Sequence, residues 1–568
     1  MDAALASEDG TVLREHLPGI RFSALMLSPQ LRLFGNFPES VLAEVVVSKN
    51  GVSWIVDTAA DNLVLGNTWH AIDQSTLSEL LKLLPAPNPE GKRAMNAGQY
   101  ISVLAMPEWH SRIINEVATD RSYEWAHGAL ENPAGLQATL FPYQIIGSTA
   151  MRILAGFGIG TLLADEMGLG KTLQVVTLIL SKPFEETTLV VVPASVAENW
   201  RRELARFAPS LDVLVHEGPR RAGSFRGFDG ADVVLTSYET LVADTALFQS
   251  VSWGLVVADE AQVLRNPETR RSQAVKSLDR RISVAVTGTP IENKVLDLWS
   301  IGEFVLPSLL GEKEAFDEAF GDQGPLNEFL GNLVSSITIR RSVDEVATDL
   351  PDRTDLYTAL TLDAEGDQAL ASGQTDGIAD MVRQQVVCAH ADGPMSRETN
   401  GLFAHRPKVT HTLALVAEVF ARSEKVLVFC SYLASIERLR ATLFEIDPQA
   451  YVGTIDGSVP ARDRQEIVDD FSSTVGPGCL VLQIDTAGTG LNITAANHVI
   501  FFNPDWNPAK AKQAAARAFR RGQSKPVMVH HLFYADTIEE DQVVKAQSKQ
   551  DIADSVAKGM ANRLGDDV

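Results

Sequence analysis

A short glycine loop set between an apolar strand and a helix constrains this chain more than any other stretch. Ile159–Leu163 is apolar, Ala164-Asp165-Glu166-Met167-Gly168-Leu169-Gly170-Lys171-Thr172 follows, and a helical pattern carried by Leu173, Val176 and Leu178 comes next. Strand, glycine loop, helix is the context in which backbone N–H groups can close around phosphate oxygens. Gly168 and Gly170 permit that approach, and the helix N-terminus favours negative charge there. Lys171 can reach β- and γ-phosphates, and the Thr172 hydroxyl can ligate Mg2+. The first glycine of the general P-loop pattern would fall at Asp165, so the loop alone is a partial match.

The surrounding texture agrees with a nucleotide-binding α/β fold. Brief apolar runs alternate with helix-length segments at Thr188–Val192, Val233–Thr236, Leu255–Ala258, Ser283–Thr287, Lys425–Cys430, Leu480–Ile484 and His498–Phe502. Such runs, bounded by Gly, Pro, Asp and Ser, imply parallel sheets covered on both faces. The pattern occurs twice. We therefore expect two tandem RecA-like lobes, at 136–345 and 405–545, joined by a linker with a helix at 346–404. A tail would occupy 546–568. Residues 1–135 carry no recognisable motif. Alternation at Val41–Val47 and Val52–Val56, an amphipathic stretch at Ser75–Leu84 and a break at Pro85–Pro89 predict a small α+β accessory domain there.

Composition sets outer bounds. The chain has 568 residues, 45% hydrophobic and 21% charged, which is ordinary for globular protein. No apolar run approaches the roughly 18 residues of a membrane span, and the acidic N-terminus is unlike a secretory signal. Cys388, Cys430 and Cys479 lie far apart, which excludes a clustered zinc site and fits a reducing cytosol. His390 adds no paired ligand at metal-site spacing. The net charge of −24 argues against a general nucleic-acid footprint. However, Trp506 to Lys525 carries Lys510, Lys512, Arg517, Arg520, Arg521 and Lys525 with no acid. DNA binding is therefore expected to be local, weak and salt-sensitive.

A second chemical motif lies downstream of the glycine loop. Leu255-Val256-Val257-Ala258 runs into Asp259-Glu260-Ala261-Gln262, a buried strand ending in two carboxylates. Asp259 is placed to hold the water shell of Mg2+ opposite Thr172, and Glu260 to orient or deprotonate an attacking water.

These motifs resemble those of the SWI/SNF-type ATPases, a branch of the superfamily 2 helicases. Asp165 through Thr172 is similar to the first helicase motif, and Asp259-Glu260-Ala261-Gln262 to the second, with Gln262 where His is more usual. Thr287-Gly288-Thr289-Pro290-Ile291-Glu292-Asn293 resembles the third. Ile339-Arg340-Arg341, then Asp349-Leu350-Pro351, resembles the segment closing the first lobe. Lys425–Ser431, Asp485–Asn492, and Gln513 through Gln523 resemble the fourth, fifth and sixth. Trp506-Asn507-Pro508 is a mark of this branch. The spacers after Asn293 and Pro351 are short, so the large insertions of chromatin remodellers are reduced or missing, which suits a compact prokaryotic member.

The resemblance implies roles. Leu140–Gln144 resembles the entry motif, with Gln144 reading the adenine edge through its amide. The nucleotide set would be Gln144, Asp165, Glu166, Met167, Gly168, Leu169, Gly170, Lys171, Thr172, Gly490, Arg517 and Arg520. Thr287 and Thr289 would couple loss of the γ-phosphate to lobe movement. Arg517 and Arg520, three apart and sharing a face if helical, would enter the cleft as arginine fingers, since the second lobe has no P-loop of its own. Ser195, Asn199, Ser237, Tyr238, Ser431, Thr486 and Trp506 would face DNA at strand ends. Trp200 and Trp506 fit packing as well as they fit DNA contact.

The expected function is an ATP- and Mg2+-dependent translocase on double-stranded DNA, cytoplasmic and nucleoid-associated. It could move or remove DNA-bound proteins or serve a bacterial defence or restriction system, with a protein partner docking through residues 1–135. The alternatives are a strand-separating helicase and a DNA- or partner-binding module with a silent ATPase.

Overall fold

The computed structural model describes residues 19–37, 40–57, 60–88, 92–119, 133–182, 184–290, 295–320, 328–347, 350–371, 377–390, 405–487, 491 and 493–548. No helix among them is long and apolar enough to cross a membrane.

The N-terminal region is built of β1 (Arg21–Phe22), β2 (Pro29–Phe37), β3 (Ser40–Lys49), β4 (Val52–Ile55), β5 (Asn62–Leu65), β6 (Thr68–Ala71), α1 (Gln74–Lys82), β7 (Arg93–Met95), α2 (Ala97–Ala105) and β8 (Ile113–Thr119). Its larger sheet runs β4-β3-β2-β8 and a smaller one runs β1-β6-β5. Strand β2 alternates buried Leu31 and Leu33 with more exposed neighbours, the period expected of a sheet covered on one face. Helix α1 starts where Asp73 accepts the Thr76 N–H at 3.2 Å. The region does not stand apart. Its Leu31, Leu33 and Val45 belong to one apolar cluster with Val256, Ile301, Phe304 and Leu309. A Cβ on Gly98 of α2 would lie 2.3 Å from the Pro307 carbonyl oxygen, so helix and backbone meet closely there.

The first lobe contains α3 (Pro142–Gly156), β9 (Thr161–Leu163), α4 (Lys171–Leu180), β10 (Thr188–Val192), α5 (Ala194–Phe207), β11 (Val213–His216), β12 (Val233–Ser237), α6 (Tyr238–Ala243), β13 (Trp253–Asp259), β14 (Arg280–Val286) and β15 (Thr338–Ile339). Its strands are parallel, in the order β11-β12-β10-β13-β14-β9-β15. The second lobe contains β16 (Arg353–Leu360), β17 (Lys425–Cys430), β18 (Tyr451–Ile455), β19 (Gly478–Gln483), β20 (His498–Phe501), α7 (Pro508–Ala515) and β21 (Val527–Tyr534), and its sheet is parallel, in the order β16-β21-β20-β17-β19-β18.

Central strands such as β10 and β17 are buried on both faces, which explains their unbroken apolar sequence. Strand β16 differs from expectation. It lies inside the segment read as a linker, yet pairs with β21 from Arg353↔Val527 to Leu360↔Tyr534. It is an edge strand with most residues exposed or half-buried, so its sequence lacks the apolar run of an interior strand.

Candidate active site

The glycine loop turns from β9 into α4 through two left-handed backbone positions, Gly168 at φ 92° and Gly170 at φ 71°, which only glycine adopts without strain. A Cβ on Gly170 would also lie 2.5 Å from the Gln144 amide nitrogen. Lys171 donates from Nζ to the Asp165 carbonyl oxygen at 2.9 Å. Burial pushes its amine below the ordinary lysine range, while Asp165, Glu260 and Asp259 pull the other way.

Three residues of the loop do something other than the sequence suggests. The Asp165 carboxylate is wholly buried and engaged by Arg341 Nε at 2.8 Å and Nη2 at 2.5 Å, with the Gln174 amide at 2.9 Å. It anchors the loop, and only its carbonyl faces the site, through Lys171. Arg341 further donates to the Tyr143 carbonyl and to Gln174 Oε1. The Glu166 carboxylate accepts the Val343 N–H at 2.8 Å. Leu169 is buried against Tyr143 and Val343, and contributes a carbonyl that accepts from the Tyr143 hydroxyl at 3.0 Å and the Gln144 amide at 3.1 Å. Gln144 also accepts the Phe141 N–H at 3.1 Å. Both ends of its amide are therefore occupied, and it ties the start of α3 to the glycine loop where adenine reading was expected.

The acidic pair ends strand β13. Asp259 Oδ2 accepts the Trp200 indole N–H at 2.6 Å, Oδ1 accepts the Glu260 N–H at 2.9 Å, and its carbonyl accepts the Tyr238 hydroxyl at 2.8 Å. Loss of solvent, and then the neighbouring Glu260 carboxylate, raise the Asp259 carboxyl above the usual carboxylate range, against the pull of the Trp200 and Glu260 N–H donors and of Lys171. Glu260 sits at φ 48°, ψ 51°. A left-handed position held by a residue with a Cβ stores about 1–3 kcal/mol and persists where surrounding contacts fix it. Those contacts are visible. Gln262 donates to Glu260 Oε2 at 2.6 Å and accepts the Thr287 hydroxyl at 2.8 Å, and Thr287 Oγ1 accepts the Thr289 N–H at 3.0 Å. Residues 291–293 of the third motif lie outside the described residues.

The second lobe completes the arrangement. Gln513, on α7, donates to Glu260 Oε1 at 2.9 Å. Arg517 and Arg520 follow the end of α7 in turns rather than on the helix, because the helix stops at Ala515 with Ala516 as its cap. They still face the first lobe. Arg517 is drawn down to about 10 by desolvation and Arg520, with Glu260 and Asp259 opposing, and its Nε is buried without a hydrogen-bond partner. Arg520 is near enough to depress Lys171 further, and a Cβ on Gly168 would touch its side chain at 3.8 Å. Arg521 lies over the Phe141 ring at 3.4 Å. The arginines of the acid-free stretch thus fill the cleft between lobes. Lys510 and Lys525 pair with Asp485 and Glu424.

The expected DNA residues divide. Tyr238 is buried with its hydroxyl on Asp259, and Ser237 is a buried cap accepting the Thr240 N–H at 3.1 Å, so neither side chain reaches DNA here. Thr486 is buried, and its hydroxyl donates to the Gln483 carbonyl at 2.7 Å. Asn199 donates to Glu203 at 3.3 Å. Ser195 is half-buried at the start of α5, and Ser431 and Trp506 line one cavity with Asn503 and Glu539. Gly490 lies outside the described residues. Trp200, wholly buried, is settled as a packing residue whose indole serves Asp259. Sequence reading missed the roles of Arg341, Gln174, Trp200, Gln262 and Gln513. Arg341, Gln262 and Gln513 at least lie within the motifs, whereas Gln174 and Trp200 lie outside them and carried no such signal.

Comparison with known proteins agrees with this architecture. The family described as SNF2-related domain matches residues 48–421, opening inside the segment expected as a separate accessory domain. The helicase conserved C-terminal domain matches 408–522. The putative ATP-dependent helicase/translocase YwqA of Bacillus subtilis is 34% identical, over 74% of this chain and 49% of its own length. Zorya protein ZorD of Escherichia coli O139:H28 is 32% identical, over 66% of this chain and 40% of its own length. The chain thus spans half or less of the length of these curated relatives. The SWI2/SNF2 ATPase core of Sulfolobus solfataricus, solved in complex with double-stranded DNA, is 31% identical and covers 76% of this chain and 96% of its own, with a TM-score of 0.40. On the extent of the family match and the shared sequence, this chain belongs to the SNF2-related family of helicase-like ATPases.

Proposed function

We propose that the chain hydrolyses ATP between its lobes to translocate along double-stranded DNA. One observation carries the reading. Gln513, Arg517 and Arg520 of the second lobe converge on Lys171, Asp259 and Glu260 of the first. In that arrangement Lys171 leaves the Asp165 carbonyl for the β- and γ-phosphates. Glu260 orients the attacking water and accepts its proton, and Arg517 and Arg520 stabilise charge on the transferring phosphoryl.

The Thr172 hydroxyl, at the start of α4, and the Asp259 carboxylate, at the end of β13, would hold Mg2+, which takes oxygen donors of this kind. When bound, Mg2+ would supply neutralisation of phosphate charge there. Gln262 and Thr287 connect Glu260 to the third motif, a route by which γ-phosphate loss can bias the lobes between two arrangements.

The duplex would lie across the C-terminal ends of the strands, with backbone amides and hydroxyls holding phosphates without reading sequence. Ser195, Ser431 and Trp506 are candidate side chains for this. In the cell such a motor would move or remove DNA-bound proteins, or serve a bacterial defence system. Unchanged phage plating after deletion of the gene would exclude the defence setting.

The strand-separating alternative is tested by offering two substrates. Displacement of a third strand from a triplex, without unwinding of a forked duplex, supports translocation. Unwinding of the fork replaces that reading with a helicase.

A further inference from the structure

Two strand–helix junctions of the first lobe, the end of β10 with the start of α5 and the end of β12 with the start of α6, sit where the proposed function places DNA. Each sends one buried aromatic side chain to the same residue of the nucleotide site. Trp200, on the buried face of α5 with Val196, Ala197 and Leu204, gives its indole N–H to the Asp259 carboxylate at 2.6 Å. Tyr238, the first residue of α6, gives its hydroxyl to the Asp259 carbonyl at 2.8 Å. Trp200 and Tyr238 are 0% and 1% exposed, so neither group exchanges its partner for water. Strand β10 lies between β12 and β13 in the sheet, so α5, which follows β10, reaches the Asp259 carboxylate and α6, which follows β12, reaches its carbonyl.

We infer that Trp200 and Tyr238 are positioning residues that couple an occupied DNA face to Asp259, an inference that rests on the translocase reading above. The physical basis is rigidity. α5 is a 14-residue helix whose buried face is packed into the sheet, so a phosphate bound at its first turn can move the indole only by moving the helix as a body. A small shift of α5 or α6 then changes the rotamer or the backbone position of the carboxylate at the strand end. Duplex binding thereby favours the Asp259 geometry that serves the nucleotide, and nucleotide binding favours the α5 and α6 positions that serve the duplex. Such coupling is reciprocal, so it has a readout in binding alone.

The test uses the full chain with Trp200→Phe, Tyr238→Phe and the double variant, which keep the rings and remove only the donors. Duplex affinity is measured by fluorescence anisotropy with and without Mg2+ and ADP, and steady-state hydrolysis with and without duplex. Wild-type protein should show a coupling factor of about 5- to 150-fold in duplex affinity. The double variant should bring that factor toward one, lowering duplex stimulation of hydrolysis in parallel while its nucleotide-free duplex affinity stays within about two-fold. Each single variant should lie between. A double variant that melts with wild type and retains the full factor overturns the inference and leaves the translocase reading intact. A wild-type protein whose hydrolysis ignores duplex overturns both.

Discussion

Gln513 of the second lobe donates its side-chain amide to the Glu260 carboxylate of the first at 2.9 Å, across 253 residues of sequence. The other oxygen of that carboxylate is held by Gln262. The proposed general base is therefore oriented by one partner from its own lobe and one from the opposite lobe, and the second is present only when the lobes are closed.

Gln513→Ala should lower kcat for ATP by about ten- to a hundred-fold, since a hydrogen bond to a charged group contributes about 1.5–3 kcal/mol. KM should change little, because the bond orients the base rather than holding substrate. Steady-state kinetics separate the two parameters. An equal rise in KM with kcat unchanged would assign Gln513 to substrate binding instead.

Arg517→Ala and Arg520→Ala should each reduce hydrolysis by about a thousand-fold, the lower range for an arginine finger. Both variants should still bind a fluorescent ATP analogue. Loss of binding in either, with no separate effect on turnover, would give that arginine a ground-state role.

The buried Asp165–Arg341 pair predicts a stability effect. Arg341→Met leaves a buried carboxylate without its cation and should destabilise the first lobe by about 3–5 kcal/mol. Arg341→Met combined with Asp165→Asn should recover part of that loss, because no unpaired charge remains. Urea midpoints followed by tryptophan fluorescence report both, and a double variant less stable than the single one would contradict the account.

At Gly170 the backbone conformation and the neighbouring amide act together. Gly170→Ala adds a Cβ at a left-handed position, a penalty of about 1–2 kcal/mol, and places it 2.5 Å from the Gln144 amide nitrogen. Nucleotide affinity should fall by at least about ten-fold. Shortening the neighbour in Gly170→Ala/Gln144→Ala should restore part of it, as read by equilibrium titration.

What the sequence made legible followed from burial. The interior strands Thr188–Val192 and Lys425–Cys430 are covered on both faces and appear as unbroken apolar runs with the observed limits. The edge strands Val213–His216, Arg353–Leu360 and Tyr451–Ile455 are only partly covered, so packing imposes a weaker pattern, and Arg353–Leu360 was taken into a linker. The chemistry-bearing motifs were readable because each is local. Their supports were not. Trp200 meets Asp259 across 59 residues, and Arg341 meets Asp165 across 176. Such contacts are set by strand order, which spacing does not encode. The helical pairing assumed for Arg517 and Arg520 failed because α7 ends before them, although closure of the lobes brings both to the cleft by another route.

In the proposed cycle a duplex drives closure of the two lobes around ATP. Steady-state hydrolysis measured without DNA, with single strands and with duplex, alongside Lys171→Ala and Glu260→Gln, addresses it most directly. The account predicts strong stimulation by duplex, weak stimulation by single strands, and loss of hydrolysis in both variants. Hydrolysis indifferent to duplex, or surviving in Glu260→Gln, would contradict it.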